Sequence, residues 1–346
     1  MRKRTFCLIG CALVALAGCG DSTETAGDAN SAESQEPIKV SLALNWFPEA
    51  EHGGFYAADV HGHFADAGLD VTIVPGGPGA PVLQEVATGK VMFGVSTAER
   101  VLLGRAQGAD VVALMAALQD SPRCIMVHEK SGIRKLKDLR GLTLAVGTGS
   151  PTAEFLKTQL PLEDVEIVPY SGNVAEFLIN ENFAQQAYVF SEPFVAEKNG
   201  GDPHCLMISE LGFNPYTSLL ITTSEAIAEH PELVQKMVTA SVRGWQAYLE
   251  TPVETNRDIN RQNPEMDLDI LAFGAESMRE LCVNESTSKS KLGRMTLDRW
   301  RTLTEQLEAT GLIDQGVVEP QAAFTLQFLD RHEDDASPVD TAASAK

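Results

Sequence analysis

The sequence is short of bases: 27 Lys and Arg stand against 48 Asp and Glu, for a formal charge of -21 over 346 residues. So acidic a surface repels phosphate backbones, and nucleic acid is not an expected partner. Long apolar runs are missing as well. The longest, residues 6–16, is about half the ~20 residues that a spanning helix requires, so no transmembrane domain is expected. Aromatic residues make up 6%, yet 44% of the chain is hydrophobic, enough for two small cores and too much for a fibrous or disordered chain. Cysteine is scarce. Beyond residue 19 only Cys124, Cys205 and Cys282 occur, and an odd trio is no disulfide framework. Cys124 opens the apolar run Cys124-Ile125-Met126-Val127 and reads as a free buried thiol. There is no G-x-S-x-G elbow, no phosphate loop, no H-E-x-x-H and no G-x-G-x-x-G after a strand. His61 and His63 have no cysteine near them and read as solvated, so no metal site and no cofactor are expected.

What is present begins with an address. Arg2, Lys3 and Arg4 precede a short apolar stretch and small residues, which makes residues 1–18 an export signal rather than part of the fold. Leu16-Ala17-Gly18-Cys19 resembles the bacterial lipobox, in which the cysteine is acylated, so Cys19 is the expected lipidation site and membrane anchor. Residues 19–37 are small, polar and acidic and read as a flexible tether; residues 331–346, acidic and poor in large apolar groups, read as a disordered tail.

From residue 38 short apolar strands alternate with amphipathic helices, a β/α series that predicts a mostly parallel sheet covered by helices. Strands are predicted at 38–44, 71–74, 91–95 and 111–116, with a helix over 53–67 after the first. A second series has strands near 125–127, 143–146, 166–169, 187–190 and 206–208. Two such sheets predict an α/β protein of two lobes, residues 38–122 and 123–213, joined by a hinge. Residues 214–330 return to the first lobe and add long helices: one from Ser224 through Tyr248, one over 268–281, one over 297–307.

In open α/β sheets ligands sit beyond the carboxyl ends of the strands, so the residues just after each strand are the candidates. They are Asn45, Trp46 and Phe47 after the first strand, Ser96, Thr97 and Glu99 after the third, and, around the strand ends of the second lobe, Gly149, Ser150, Tyr170, Ser171, Tyr188 and Glu192. Aromatic faces, an amide, hydroxyls and carboxylates suit a flat polar heterocycle, which stacks on rings and offers nitrogens at fixed edges. Each has a plainer role open to it. Trp46 could close a core, Asn45 could be a turn residue, Ser150 a helix cap before Pro151, Glu192 a first-turn carboxylate, and His52 the first-turn residue of its helix. Glu99 is explained by a surface helix position.

Leu42-Ala43-Leu44-Asn45-Trp46-Phe47-Pro48, His52-Gly53-Gly54-Phe55-Tyr56-Ala57-Ala58, Phe64-Ala65-Asp66-Ala67-Gly68-Leu69-Asp70-Val71, Phe93-Gly94-Val95-Ser96, Arg105-Ala106-Gln107-Gly108 and Glu210-Leu211-Gly212-Phe213-Asn214-Pro215-Tyr216 together resemble the thiamine-precursor substrate-binding proteins of ABC importers, relatives of thiamine pyrimidine synthase. The resemblance runs from about residue 38 to about 250. It implies a bilobed type II periplasmic-binding-protein fold whose lobes close on a small heterocycle such as formylaminopyrimidine, or on riboflavin or another organic solute. It also implies a permease and its ATPase subunit as partners. By matching position, Asn45, Trp46, Ser96, Tyr188 and Glu192 fall where the family lines its cleft. Eukaryotic synthases of this kind carry a CCCFC-like motif, which this sequence lacks. That absence and the export signal argue for binding without catalysis. A synthase-like enzyme using His52 and a bound metal, or a sensory binding protein, are the alternatives. Asn180-Glu181-Asn182-Phe183-Ala184-Gln185-Gln186 departs from the family's usual G-x-V-D-A turn.

Overall fold

The computed structural model describes residues 36–283 and 291–329; the expected export signal, Cys19, nearly all of the tether and the tail lie outside the described residues. Among the described residues there are ten strands: β1 (Ile38–Ala43), β2 (Leu69–Val74), β3 (Phe93–Ser96), β4 (Val112–Leu118), β5 (Arg123–His128), β6 (Thr143–Val146), β7 (Glu166–Pro169), β8 (Phe183–Tyr188), β9 (Pro203–Met207) and β10 (Thr217–Thr222). They form two five-stranded sheets, ordered β2-β1-β3-β10-β4 and β7-β6-β8-β5-β9. The fold is the expected two-lobed α/β arrangement, but both sheets are mixed. β10 runs antiparallel to β3 and β4, and β5 runs antiparallel to β8 and β9. Each is the first strand after the chain crosses between sheets. A chain entering a lobe from the crossing side runs away from it, whereas the β/α strands run toward it.

The helices are α1 (Gly53–Val60), α2 (His63–Asp66), α3 (Val82–Ala87), α4 (Ala98–Ala106), α5 (Pro151–Gln159), α6 (Ala175–Ile179), α7 (Glu192–Lys198), α8 (Ser224–Glu229), α9 (Pro231–Glu250), α10 (Val253–Gln262), α11 (Leu268–Cys282) and α12 (Leu297–Ala309). Two predicted helices are broken. Gly62, with φ of 76°, separates α1 from α2, because a left-handed residue cannot continue a right-handed helix. Pro231 starts α9 afresh after His230, and α8 is capped by the Thr223 hydroxyl rather than by Ser224. The strand expected at 187–190 begins earlier, at Phe183, inside the segment that departs from the family pattern: two glutamines conceal a strand whose Phe183, Ala184 and Gln185 are buried.

The first core is built on α9, whose apolar stripe of Val234, Met237, Val238, Trp245 and Tyr248 packs on α1. The approach is close enough to require glycine at Gly244, where a Cβ would stand 2.2 Å from the Gly54 carbonyl oxygen. The C-terminal helices do more than return to the first lobe. α11 touches both β4 and α7, and α12 touches both α4 and α5. Where α7 meets α11, Phe194 stacks on Phe273 at 5.0 Å and Lys198 pairs with Asp267 at 2.7 Å and Asp269 at 3.4 Å. These ions are largely in water, so the pairs are weak and cannot lock the lobes together.

The two connections between sheets are tied to each other. Asn214 donates from Nδ2 to Asp120 at 2.8 Å and accepts the Ser121 amide at 2.7 Å, while its own carbonyl accepts from Arg299 of α12. The Arg299 guanidinium lies 3.8 Å above the Tyr216 ring. A single asparagine therefore couples both crossings, and α12 braces it.

Candidate functional site

The carboxyl ends of β1, β3 and β8 and the amino ends of β5 and β10 meet in one polar cluster. After β1 the chain makes the short turn Ala50–His52, which is buried throughout. Asn45 donates to Glu51 Oε1 at 3.0 Å, and His52 Nε2 lies 3.1 Å from Asn45 Oδ1 and 3.2 Å from Glu51 Oε1. The turn is fixed from below by Ser218, whose hydroxyl donates to the Glu51 carbonyl at 2.7 Å. Ser218 holds a φ of 52°, a left-handed conformation that costs a side chain about 1–3 kcal/mol and persists only where its surroundings fix it.

Arg123, the first residue of β5, reaches Glu99 Oε1 at 2.7 Å and lies 5.7 Å from the centre of the Tyr188 ring. Glu99 is therefore no surface helix residue: it is 1% exposed, because the arginine that neutralises it comes from the other sheet. Burial lowers the Arg123 pKa, and Glu99 and Tyr188 more than reverse this, so the guanidinium stays charged.

Glu192 accepts the Tyr188 amide at 2.8 Å and the Tyr170 hydroxyl at 2.6 Å. Those two bonds join α7, β8 and the segment after β7. Burial raises the Glu192 carboxyl above its ordinary value against the pull of these donors, and the Glu51 charge adds to the rise. Burial raises Glu51 too, but the hydrogen bond and charge of His52, the Asn45 amide and Arg123 together hold it below the usual carboxylate range. Glu49 is different. It is 5% exposed, lies in the field of Glu51 and Glu192, and has no hydrogen-bond partner for its side chain among the described residues, so burial and both neighbours push its pKa well up.

Of the residues expected from the sequence, Asn45, His52, Tyr170, Tyr188 and Glu192 thus belong to one connected group. Ser96 is buried at the end of β3. Trp46 is half-buried and packs edge-on against the exposed Phe47, with ring centres 5.6 Å apart, rather than entering a core. Gly149 and Ser150 stand apart in the turn before α5. Gly149 takes a φ of 67°, and Ser150 caps the helix by accepting the Ala153 amide at 3.2 Å. Sequence reasoning missed Glu49, Glu51, Arg123 and Ser218.

Several polar atoms of the cluster are buried without a partner: Glu51 Oε2, Glu99 Oε2, His52 Nδ1 and the Thr97 hydroxyl. Thr97 occupies the N-cap position of α4 without capping it. Buried polar atoms ordinarily find partners, and these four do not among the described residues. Two surface hollows, of about 640 and 620 Å³, lie elsewhere, one between α7 and α11 and one beside Pro252, and neither holds a member of the cluster. The residues do not fit a metal: among the described residues no three of His, Cys, Asp and Glu are placed to hold one, and His52 faces Asn45 and Glu51.

Comparison with known proteins agrees with this architecture. The chain is similar to the riboflavin-binding protein RibY of Chloroflexus aurantiacus, at 27% identity over 95% of this chain and 98% of the other. It is similar to the formylaminopyrimidine-binding protein of Halalkalibacterium halodurans, at 25% identity over 90% and 95%. A 4-amino-5-hydroxymethyl-2-methylpyrimidine phosphate synthase of Candida albicans matches at 26% identity over 67% and 74%. Among solved structures, the periplasmic aliphatic sulphonate binding protein SsuA of Escherichia coli superposes with a TM-score of 0.64 at 15% identity, covering 83% of this chain and 92% of that one. That likeness establishes the periplasmic-binding-protein fold. The model described as NMT1/THI5 like matches residues 49–255, and the chain belongs to that family.

Proposed function

We propose that this protein is the extracytoplasmic solute-binding component of an ABC importer, holding a thiamine-precursor pyrimidine or a similar small heterocycle between its lobes without catalysis. The observation that carries the reading is the polar cluster itself, assembled from both sheets and leaving buried oxygens unpartnered. Relatives that bind formylaminopyrimidine and riboflavin support the heterocycle. No described residue of the cluster forms the nucleophile and base pair that covalent chemistry requires. The synthase reading has only the family relationship behind it, and product formation by the purified protein with pyridoxal phosphate and iron would establish it. In the binding reading Trp46 supplies the stacking face, Glu192 and Tyr188 grip polar edges, and the crossings near 120–123 and 213–216 form the hinge. A permease with its ATPase subunit receives the solute, and lipid on Cys19 holds the protein at the membrane.

Calorimetric titration of formylaminopyrimidine and of riboflavin tests the site. Trp46→Ala should weaken binding by about 1–3 kcal/mol through lost stacking while leaving the melting temperature nearly unchanged, since the ring belongs to none of the buried apolar clusters. Affinity indifferent to Trp46 would remove it from the site, and binding of neither compound would remove the substrate class. The anchor is tested separately: Cys19→Ser should release the protein from membranes, and a variant that still sediments with salt-washed membranes would rule the anchor out.

A further inference from the structure

The charges of the cluster do not balance. Glu49, Glu51, Glu99 and Glu192 face one guanidinium, Arg123, and one imidazole, His52, and both of these are already engaged. Arg123 Nη1 is bound to Glu99 at 2.7 Å with its guanidinium carbon 5.7 Å from the centre of the Tyr188 ring, and His52 Nε2 is shared between Asn45 and Glu51. Glu192 is held only by a hydroxyl and an amide, neutral donors that leave its charge uncancelled. Glu49 is 95% removed from solvent by its 5% exposure and has no hydrogen-bond partner among the described residues. Elsewhere in the cluster the unpartnered buried oxygens are the acceptors Glu51 Oε2 and Glu99 Oε2, beside the Thr97 hydroxyl and His52 Nδ1, either of which can serve either way.

A site so furnished asks for donors. A neutral ring edged with carbonyls would set its own oxygens against carboxylates, whereas an N–H-bearing cation would satisfy the orphaned acceptors and offset the buried charge. The carboxylates do not converge on a metal ion, since among the described residues no three ligating groups stand close enough. We propose that the solute of this site is a small ring compound carrying a protonated amine or amidine, seated with its cationic nitrogen toward Glu49. The proposal rests on the solute-binding reading and narrows it from a heterocycle in general to a cationic one. Glu51 and Glu192 lie in electrostatic reach of the same carboxyl, and His52, Arg123, Tyr170, Tyr188 and Tyr248 are the other titratable groups around it. Among these only His52 and Arg123 can carry positive charge.

The probes are 4-amino-5-hydroxymethyl-2-methylpyrimidine and its 5-aminomethyl analogue, which have nearly the same shape and differ by one positive charge at pH 7. Titration calorimetry of the full chain should show the aminomethyl compound binding at least about tenfold tighter, with a preference that shrinks as salt is added. Glu49→Gln should remove most of that preference, by weakening the aminomethyl compound well beyond any change in the hydroxymethyl one. A merely structural role for Glu49 would weaken both compounds equally, and this outcome overturns the assignment of Glu49. Equal binding of the two compounds to the unaltered protein overturns the cation and leaves the pyrimidine reading standing. Binding of neither overturns the pyrimidine reading; the charge is then decided by melting temperatures with aromatic amines and their alcohol isosteres. Amines that stabilise no better than alcohols overturn the proposal.

Discussion

Arg123→Met should destabilise the fold by about 3–5 kcal/mol, more than any other single change to the cluster, even though methionine roughly preserves the side-chain length. The reason is the partner left behind. Glu99 is 1% exposed, its Oε2 already lacks a partner, and its Oε1 depends on the guanidinium at 2.7 Å. Without Arg123 the carboxylate is a buried uncompensated charge that must take up a proton or draw in water. The bond also spans the two sheets, joining the start of β5 to the first turn of α4, so its loss loosens the lobes against each other. Adding Glu99→Gln to Arg123→Met should recover much of the lost stability, because the second change removes the charge that makes the first so costly. Denaturant unfolding of the two single variants and the double variant measures this. Additive losses would mean that the pair is not coupled and that the arginine acts through packing alone.

The fate of Arg123 in the sequence reading shows what was legible and what was not. Asn45, Ser96 and Glu192 were found because the rule that ligands sit beyond the carboxyl ends of strands depends only on where strands stop. Arg123 begins β5 and Ser218 is the second residue of β10, and they reach the cluster because these strands run opposite to their neighbours. Strand direction is a property of the crossing, and local periodicity carries no trace of it. Glu99 misled for a related reason: the first turn of an amphipathic helix is normally solvated, and the arginine that buries it lies 24 residues away in the other sheet. Two signals could have been used. Pro231 and Gly62 are helix punctuation in plain view, and the structure breaks the helices at both. Glu49 and Glu51 flank Ala50 directly before the apolar run that becomes α1, a placement where two acids on the solvent side would have been ordinary. It is the packing of the turn against α11, with Ser218 of β10 beneath it, that goes with their burial.

Glu49→Gln should raise stability at neutral pH and flatten its pH dependence. Burial, the Glu51 charge and the Glu192 charge raise the Glu49 pKa in the folded protein above its ordinary value of about 4.3 in an unfolded chain. For a carboxyl shifted in this direction the stabilising contribution is complete below the unfolded value. It is lost as pH rises through the folded one, because the unfolded chain gives up the proton first. Each pH unit between the two values costs up to about 1.4 kcal/mol. Glu192, raised for similar reasons, has the same sign, and Glu51, lowered by His52 and Asn45, has the opposite sign. Glutamine at position 49 removes one ionisation of the first kind and relieves repulsion on the other two, so the variant should gain on the unaltered protein steadily as pH rises above about 4.3. Melting temperatures of both proteins across that range give the difference directly. Curves that stay parallel would mean that Glu49 ionises freely in the folded state, and the charge imbalance inferred for the site would go with it. A cationic solute should have the same effect on the unaltered protein as the substitution, stabilising it more at high pH than at low, because it then meets a carboxylate instead of displacing a proton.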